Sequence, residues 1–226
     1  MRVVDQKKRR KGPHDGEATR EALMDAAEKL FAEQGVEAVS IRAVNSAAGL
    51  APAAVHYHFG SREALLTAVL ERRGRSVVAD IAERCDQLLT QKAQPNARDV
   101  METVVAPYLA LLERDHIGGG RWLAITGQLI LSGSREMEAL STPATERLQA
   151  LVRRAFPDAR PDDLENTWRL AVEAVVLLLA RTPGDEPEAD GPQELGGREA
   201  LIDFATGGLV HALQGATERR ARASSR

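Results

Sequence analysis

The segment from Ser40 to Phe59 contains the residues of this chain that are best suited, by type and spacing, to contact a nucleic acid. Two short stretches with an apolar face flank Gly49 and Leu50, and Pro52 suits the first turn of a helix. The pattern predicts one helix, a tight turn at Gly49 where a positive φ is favoured, and a second short helix.

The second helix is predicted to expose small and hydrogen-bonding residues. Ala53 or Ala54 could contact the methyl group of a thymine, while Tyr57 and His58 could donate hydrogen bonds to phosphates. Arg62 lies at the start of the following helix, where a cation and free N–H groups suit a phosphate. These residue types therefore predict a surface that contacts both bases and backbone.

His56 and His58 could instead suggest a metal site. At positions i and i+2 of a helix they point in different directions, and no cysteine or pair of carboxylates nearby completes a ligand set. The chain also has no phosphate-binding loop and no nucleophile elbow. We therefore expect no metal, no cofactor and no enzymatic activity.

The positioning elements are predicted to be helices throughout, which makes the fold class all-α. One helix face is predicted from the spacing of Leu23, Ala26, Ala27, Leu30 and Phe31, with Thr19 as the expected N-cap. Ser61 is expected to cap a helix that continues past Gly74. Further helices are predicted over residues 97–114, 121–133, 135–155, 161–182 and 198–214.

The composition limits the class of protein. The 226 residues carry a net charge of −3, so any surface for nucleic acid must be local. Residues 1–16, with Lys7 to Lys11, read as a flexible basic arm that either contacts DNA or is a solvated tail. The single cysteine excludes an intramolecular disulfide, and the longest apolar run, 174–180, is too short to span a membrane. We expect a cytoplasmic protein with no membrane partner.

Several motifs, taken in order, resemble the TetR (tetracycline-repressor-like) family of regulators. The resemblance covers residues 19–70 and is carried by Leu30-Phe31-Ala-Glu-Gln-Gly35, Ala48-Gly49-Leu50, Tyr57-His58-Phe59 and Ser61-Arg62-Glu63-Ala64-Leu65. It implies a three-helix DNA-binding domain with a helix-turn-helix, followed by a larger helical bundle that binds a ligand and forms a homodimer. The domains implied are a basic arm (1–16), a DNA-binding domain (17–62), a ligand-binding and dimerisation domain (63–216, with a disordered loop over 183–197) and a tail (217–226).

The resemblance also implies which residues lie at or near DNA: Ser40, Arg42, Ala51, Pro52, Ala53, Ala54, His56, Tyr57, His58 and Arg62. Two positions depart from the pattern of the family. His56 stands where tyrosine is usual, and Asn45 occupies a packed position that is commonly alanine. A buried Asn without a partner would cost about 1–3 kcal/mol, so we expect Asn45 to bind backbone groups.

The C-terminal bundle carries two further sets of candidates. A cavity between helices could bind a small hydrophobic effector, with Tyr108, Trp122, Gln128, Met137 and Trp168 as candidate lining residues. Small and apolar residues at helical spacing predict a dimer interface built from two helices of each protomer. Its candidates are Trp168, Val175, Leu179, Leu201, Phe204, Ala205, Gly208, His211 and Ala212.

The expected function is a ligand-responsive, sequence-specific transcriptional regulator. It would act as a repressor that a small hydrophobic effector releases from a palindromic double-stranded operator. The alternatives are an enzyme, or a helical interaction module that does not bind DNA. Asn45 and His56 are the only residues that favour the interaction module.

Overall fold

The computed structural model describes residues 13–91, 94–134, 142–180 and 197–224, and every regular element in these ranges is helical. The all-α fold class is therefore confirmed. No helix in these ranges is both long enough and apolar enough to cross a lipid bilayer. Residues 1–12 of the predicted arm, residues 183–196 of the predicted loop, and Met137 lie outside the described residues.

The helices follow one another along the chain as α1 (Pro13–Gln34), a 3₁₀ turn (Val36–Ala38), α2 (Ile41–Ala47), α3 (Ala54–Phe59), α4 (Arg62–Gln91), α5 (Ala97–Arg114), α6 (His116–Ser132), α7 (Thr142–Ala155), α8 (Pro161–Leu179) and α9 (Gly197–Ser224). The helix predicted over 97–114 has these bounds in the structure. The last helix extends ten residues beyond the predicted end at 214 and includes most of the predicted tail.

The chain forms two compact units, Met1–Val69 and Leu70–Arg226. In the first unit, α1 buries Leu23, Ala27 and Phe31, the apolar stripe predicted for it. Helix α1 begins at Pro13 rather than after Thr19, because proline fits the first turn of a helix, where its missing N–H is not needed.

Helix α5 is the central helix of the second unit and packs against α6, α7 and α9. It begins with a capping box: the Asn96 side chain accepts from the Asp99 N–H at 3.0 Å, and the Asp99 carboxylate accepts from the Asn96 N–H at 2.7 Å. Buried residues cover most of its circumference from Val100 to Leu112, as expected for a helix enclosed by others. Pro107 lies within the helix without ending it.

Helix α6 packs closely against its neighbours through glycine. A Cβ on Gly127 would lie 3.0 Å from the Cβ of Ala180, and one on Gly119 would lie 3.1 Å from Cγ of Leu111. Asp115 caps the helix by accepting from the Gly118 N–H at 2.9 Å, and it also forms an ion pair with Arg73 of α4. The N-terminus of α6 is therefore fixed by both backbone and side-chain bonds.

Candidate nucleic-acid interface and ligand cavity

Helix α2 and the turn after it have the predicted helix-turn-helix form. The Ser40 hydroxyl caps α2 by accepting from the Ala43 N–H at 3.2 Å. Gly49 adopts a φ of 66°, the left-handed conformation that glycine takes without strain. The Leu50 N–H then donates to the Asn45 carbonyl at 2.9 Å, which closes the turn before α3.

The carboxamide of Asn45 joins the two helices of this motif. It is buried, its Oδ1 accepts from the Val55 N–H at 3.1 Å, and its Nδ2 donates to the Pro52 carbonyl at 2.7 Å. The expected backbone partner for Asn45 is therefore confirmed. These bonds satisfy an N–H and a carbonyl near the start of α3, where helical partners are missing.

The outer face of α3 is open to solvent. Tyr57 is 84% exposed and Val55 is fully buried, so the helix has one inner and one outer side. His58 is half-buried and contacts the Tyr57 ring edge-on, with 5.0 Å between ring centroids. Of the other residues implied to lie near DNA, Ala54 is half-buried, while the exposed ones are Ser40, Arg42, Ala51, Pro52, Ala53 and His56.

Arg62 does not face outward with the other candidates. Its Nε donates to the Val39 carbonyl at 2.9 Å, its Nη2 donates to the Val36 carbonyl, and its guanidinium lies 5.6 Å from the centre of the Phe31 ring. The guanidinium thus satisfies two carbonyls of the loop before α2 and stacks on an aromatic ring. We replace the phosphate contact expected for Arg62 with this structural role.

Among the described residues, no group of three or more His, Cys, Asp or Glu side chains is arranged to hold a metal ion. His56 and His58 differ in exposure as well as direction, with His58 turned towards Tyr57. Their geometry is that of a polar helix face.

The second unit contains a cavity of about 850 Å³ bounded by α4, α5, α6, α7 and α8. Three candidate residues line it: Tyr108, Trp122 and Trp168. Gln128 is half-buried but does not line the cavity. The rings of Tyr108 and Trp122 stack with centroids 6.2 Å apart, and the Trp122 indole N–H donates to the Leu70 carbonyl at 2.9 Å.

The lining is less uniformly apolar than the sequence predicts. Aromatic and aliphatic side chains dominate, but charged residues of α4 and α8 also face the cavity: Glu71, Arg75, Glu165, Arg169 and Glu173. Burial raises the pKa of Tyr108 to about 12, so its phenol is neutral at physiological pH. The sequence signal for the α8 wall was a helix face on which Glu165, Trp168, Val172 and Glu173 recur at helical spacing.

The second unit also exposes an apolar surface formed by α8 and α9. Leu170 and Phe204 are 62% and 67% exposed, and they line a shallow groove with Ala174, Leu178 and Gly208. We call this surface, formed by Leu170, Ala174, Leu178, Phe204 and Gly208, the α8–α9 face.

The residues predicted for a dimer interface differ in their burial within the protomer. Val175, Leu179, Leu201 and Ala205 are buried within the protomer, although Val175 and Ala205 also line the groove of the α8–α9 face, and Trp168 lines the cavity. Phe204, Gly208, His211 and Ala212 retain exposed or half-exposed positions. On α8 the predicted residues Val175 and Leu179 are buried, whereas Leu170, Ala174 and Leu178 are more exposed.

The chain thus combines an N-terminal helix-turn-helix unit with a larger helical unit that contains a cavity. Comparison with known families agrees. Residues 23–69 match the model of bacterial regulatory proteins of the tetR family, and residues 102–208 match the model of the tetracyclin repressor-like C-terminal domain. The chain belongs to the TetR family. This is a family of regulatory proteins, in agreement with the expectation of no enzymatic activity.

Individual relatives are similar over part of the chain. The HTH-type transcriptional regulator BetI of Rhizobium meliloti is 34% identical over 86 residues, which are 38% of this chain and 39% of that protein. The HTH-type transcriptional repressor Rv3405c of Mycobacterium tuberculosis is 37% identical over 84 residues, which are 34% of this chain and 45% of that protein. The matches thus span less than half the length of these relatives.

Solved structures share the fold over most of the chain. SmeT, the repressor of the Stenotrophomonas maltophilia multidrug efflux pump SmeDEF, superposes with a TM-score of 0.58 at 20% identity, over 89% of this chain and 91% of SmeT. The TetR-family regulator PfmR of Thermus thermophilus gives a TM-score of 0.53 at 19% identity, over 85% and 97% of the two chains. At these identities the likeness shows a common fold.

Proposed function

We propose that this protein is a ligand-responsive transcriptional repressor that binds a palindromic operator as a homodimer in the cytoplasm. The observation that carries the proposal is the outer face of α3, where Tyr57 is 84% exposed on a helix fixed by the buried Asn45. An exposed aromatic residue on a rigid short helix has no role in the core, and small neighbours such as Ala53 allow close approach to a duplex.

The α3 helix would enter the major groove. Ala53 and Ala54 are short enough to bring the backbone near base edges, while Tyr57 and His56 can donate hydrogen bonds to bases or phosphates. The Ser40 hydroxyl already accepts a hydrogen bond as the N-cap of α2. Any contribution of Ser40 to DNA binding would therefore come from its exposed position at the N-terminus of that helix.

Dimerisation would place two α3 helices on the same side of the duplex. The α8–α9 face supplies an exposed apolar surface, and burying Leu170 and Phe204 against the same face of a second copy would be favourable by the hydrophobic effect. A symmetric dimer reads two half-sites about 34–36 Å apart, one turn of the double helix, which requires an inverted repeat.

The cavity of the second unit would bind the effector. Helix α4 lines the cavity wall with Glu71, Gly74, Arg75, Val77, Val78 and Ile81. An effector shifts the protein only by its difference in affinity for the two states. Weakening DNA binding tenfold requires about 1.4 kcal/mol of coupling.

The proposal is tested by retention of sheared genomic DNA on the immobilised full-length chain, followed by sequencing. Wild-type protein is expected to enrich a small number of sites that share an inverted repeat, whereas Tyr57→Ala retains fewer of them. Uniform retention of all fragments by both proteins would contradict sequence-specific regulation and would favour the interaction module.

A further inference from the structure

Helix α8 turns a strip of acidic and aromatic side chains toward the cavity of the second unit. Glu165, Trp168, Val172, Glu173 and Val176 recur along one face of the helix and line the same wall. The opposite wall is aromatic and aliphatic and includes Trp122 and Tyr108. The cavity therefore combines aromatic faces with carboxylates, which is unusual for a site that takes a neutral hydrophobic molecule.

Most charged groups of the lining are already compensated. Glu71 accepts from Arg75 at 2.5 Å, and Glu165 accepts from Gln149 at 3.1 Å and from the Trp168 indole at 3.4 Å. Arg169 is exposed to solvent and donates to Asn166 at 3.5 Å. These groups have partners or water available to them.

Glu173 differs from the other charged residues of the lining. It is half-buried and faces the cavity between Val172 and Val176, and across the described ranges its carboxylate has neither an ion-pair nor a hydrogen-bond partner. A positive charge placed beside this carboxylate would interact with it favourably, because the largely apolar cavity wall lowers the effective dielectric constant below that of water.

The aromatic residues of the cavity favour the same ligand chemistry. The faces of tryptophan and tyrosine rings carry negative potential and attract cations within about 6 Å. Tyr108 does not add an anion, because burial keeps its phenol neutral. An anionic ligand would instead meet the carboxylates of Glu165 and Glu173 on the α8 wall, while Arg75 is paired with Glu71 and Arg169 is exposed to solvent.

We propose that the cavity binds a hydrophobic organic cation, whose positive centre lies beside Glu173 and whose apolar body packs against Trp122 and Trp168. The inference deepens the proposed function, because it names the chemical class of the effector for the same cavity. It refines the small hydrophobic effector expected from the sequence by adding a positive charge.

Two probes of matched shape and opposite charge test the inference: tetraphenylphosphonium and tetraphenylborate. The only two tryptophans of the chain, Trp122 and Trp168, both line the cavity, so their fluorescence reports on its occupancy. Each probe is titrated into the full-length wild type and into Glu173→Gln, which keeps the shape of the side chain and removes its charge. Glu146→Gln is the matched control, because it removes an exposed charge of α7 that does not line the cavity.

Wild-type protein is expected to bind the phosphonium, and Glu173→Gln should raise the Kd for it by about fivefold to tenfold through the lost charge interaction. The same substitution should leave the Kd for the borate unchanged or lower it, and Glu146→Gln should change neither. If Glu173→Gln instead distorted the cavity, the Kd values for both probes would change in the same direction. Absence of phosphonium binding to the wild type, a change below about twofold in Glu173→Gln, or equal shifts for both probes would overturn the inference.

The titration contains no DNA, so its result is independent of the proposed regulatory function. Loss of operator recognition with an intact cation preference would overturn the repressor proposal alone. Operator recognition without a cation preference would overturn this inference alone.

Discussion

The side chain of Asn45 accepts a hydrogen bond from the backbone N–H of Val55 at 3.1 Å and thereby ties α2 to α3. Both residues are buried, and the same carboxamide donates to the Pro52 carbonyl at 2.7 Å. One polar side chain in an apolar position thus fixes the angle of the helix that would enter DNA. A residue that departs from the usual pattern of the family has an internal structural role.

Replacing Asn45 by alanine should lower the free energy of unfolding by about 1–3 kcal/mol, because the buried N–H of Val55 and the carbonyl of Pro52 lose their partner. Urea denaturation followed by circular dichroism measures the change. Ser46→Ala is the control, since Ser46 is exposed on the same helix. Equal stability of the two variants would show that water or another group replaces the amide without cost.

Tyr57 and Arg62 should respond differently to alanine substitution. Tyr57→Ala is expected to weaken operator binding by about fivefold to tenfold, the value of one lost hydrogen bond, with little change in thermal stability. Arg62→Ala should instead lower the free energy of unfolding by about 1–3 kcal/mol, since its guanidinium satisfies the carbonyls of Val36 and Val39. Anisotropy titrations and thermal melts of both variants check the contrast. A stable Arg62→Ala protein that binds DNA weakly would restore the phosphate role expected from the sequence.

The α8–α9 face should be the dimer interface. Phe204→Glu places a charge on a residue that is 67% exposed in the protomer, so the monomer should fold normally while association is lost. Light scattering at micromolar concentration is expected to give a dimer for the wild type and a monomer for the variant. Leu131→Glu is the control, because Leu131 is 76% exposed on α6 outside this face. A Phe204→Glu protein that remains dimeric would place the interface elsewhere.

Asp115 should make stability depend on pH. Partial burial acts to raise its pKa, but the Gly118 N–H and the charge of Arg73 outweigh burial and lower the pKa below its ordinary value. A carboxyl with a depressed folded-state pKa stabilises the protein above its unfolded pKa of about 4, and the contribution is lost as the pH falls through the folded value.

The stability difference between wild type and Asp115→Asn should therefore be largest near neutral pH and shrink as the pH falls below about 4. Asparagine can still cap α6, so the variant isolates the charge. Denaturation series at several pH values measure the difference, with Asp158→Asn, an exposed substitution, as the control. A stability difference that does not vary with pH would show that the ion pair between Asp115 and Arg73 does not stabilise the protein.

The helix boundaries of the first unit can be predicted from the sequence because local residues determine them. Ser40 and Ser61 are caps, and Gly49 is a turn residue with positive φ, so each boundary of α2 and the start of α4 depends on residues a few positions away. The bond from Asn45 was expected because a buried amide has few alternatives. The Thr19 cap predicts a start for α1 that is seven residues later than Pro13, since Thr19 and Pro13 are both acceptable near a helix N-terminus.

The second unit is harder to predict because tertiary contacts decide which face of each helix packs inward. Helix α8 is apolar on two sides, and periodicity alone cannot show whether Val175 or Leu170 faces the core. The same limit applies to one residue of the first unit, because the inward turn of Arg62 depends on the carbonyls of Val36 and Val39, more than twenty residues away. From the sequence alone, Glu173 is predicted to be a solvent-exposed charge between apolar residues. Its position in the cavity wall follows only from the packing of α8.

The most direct test of sequence-specific DNA binding is selection of bound duplexes from a random pool by the full-length chain at moderate salt. Wild-type protein is expected to enrich one inverted repeat whose half-sites are centred about one helical turn apart. Tyr57→Ala, prepared folded and dimeric, should enrich it weakly. Equal and featureless recovery by both proteins would contradict recognition through α3 and with it the account of this chain as a dimeric repressor.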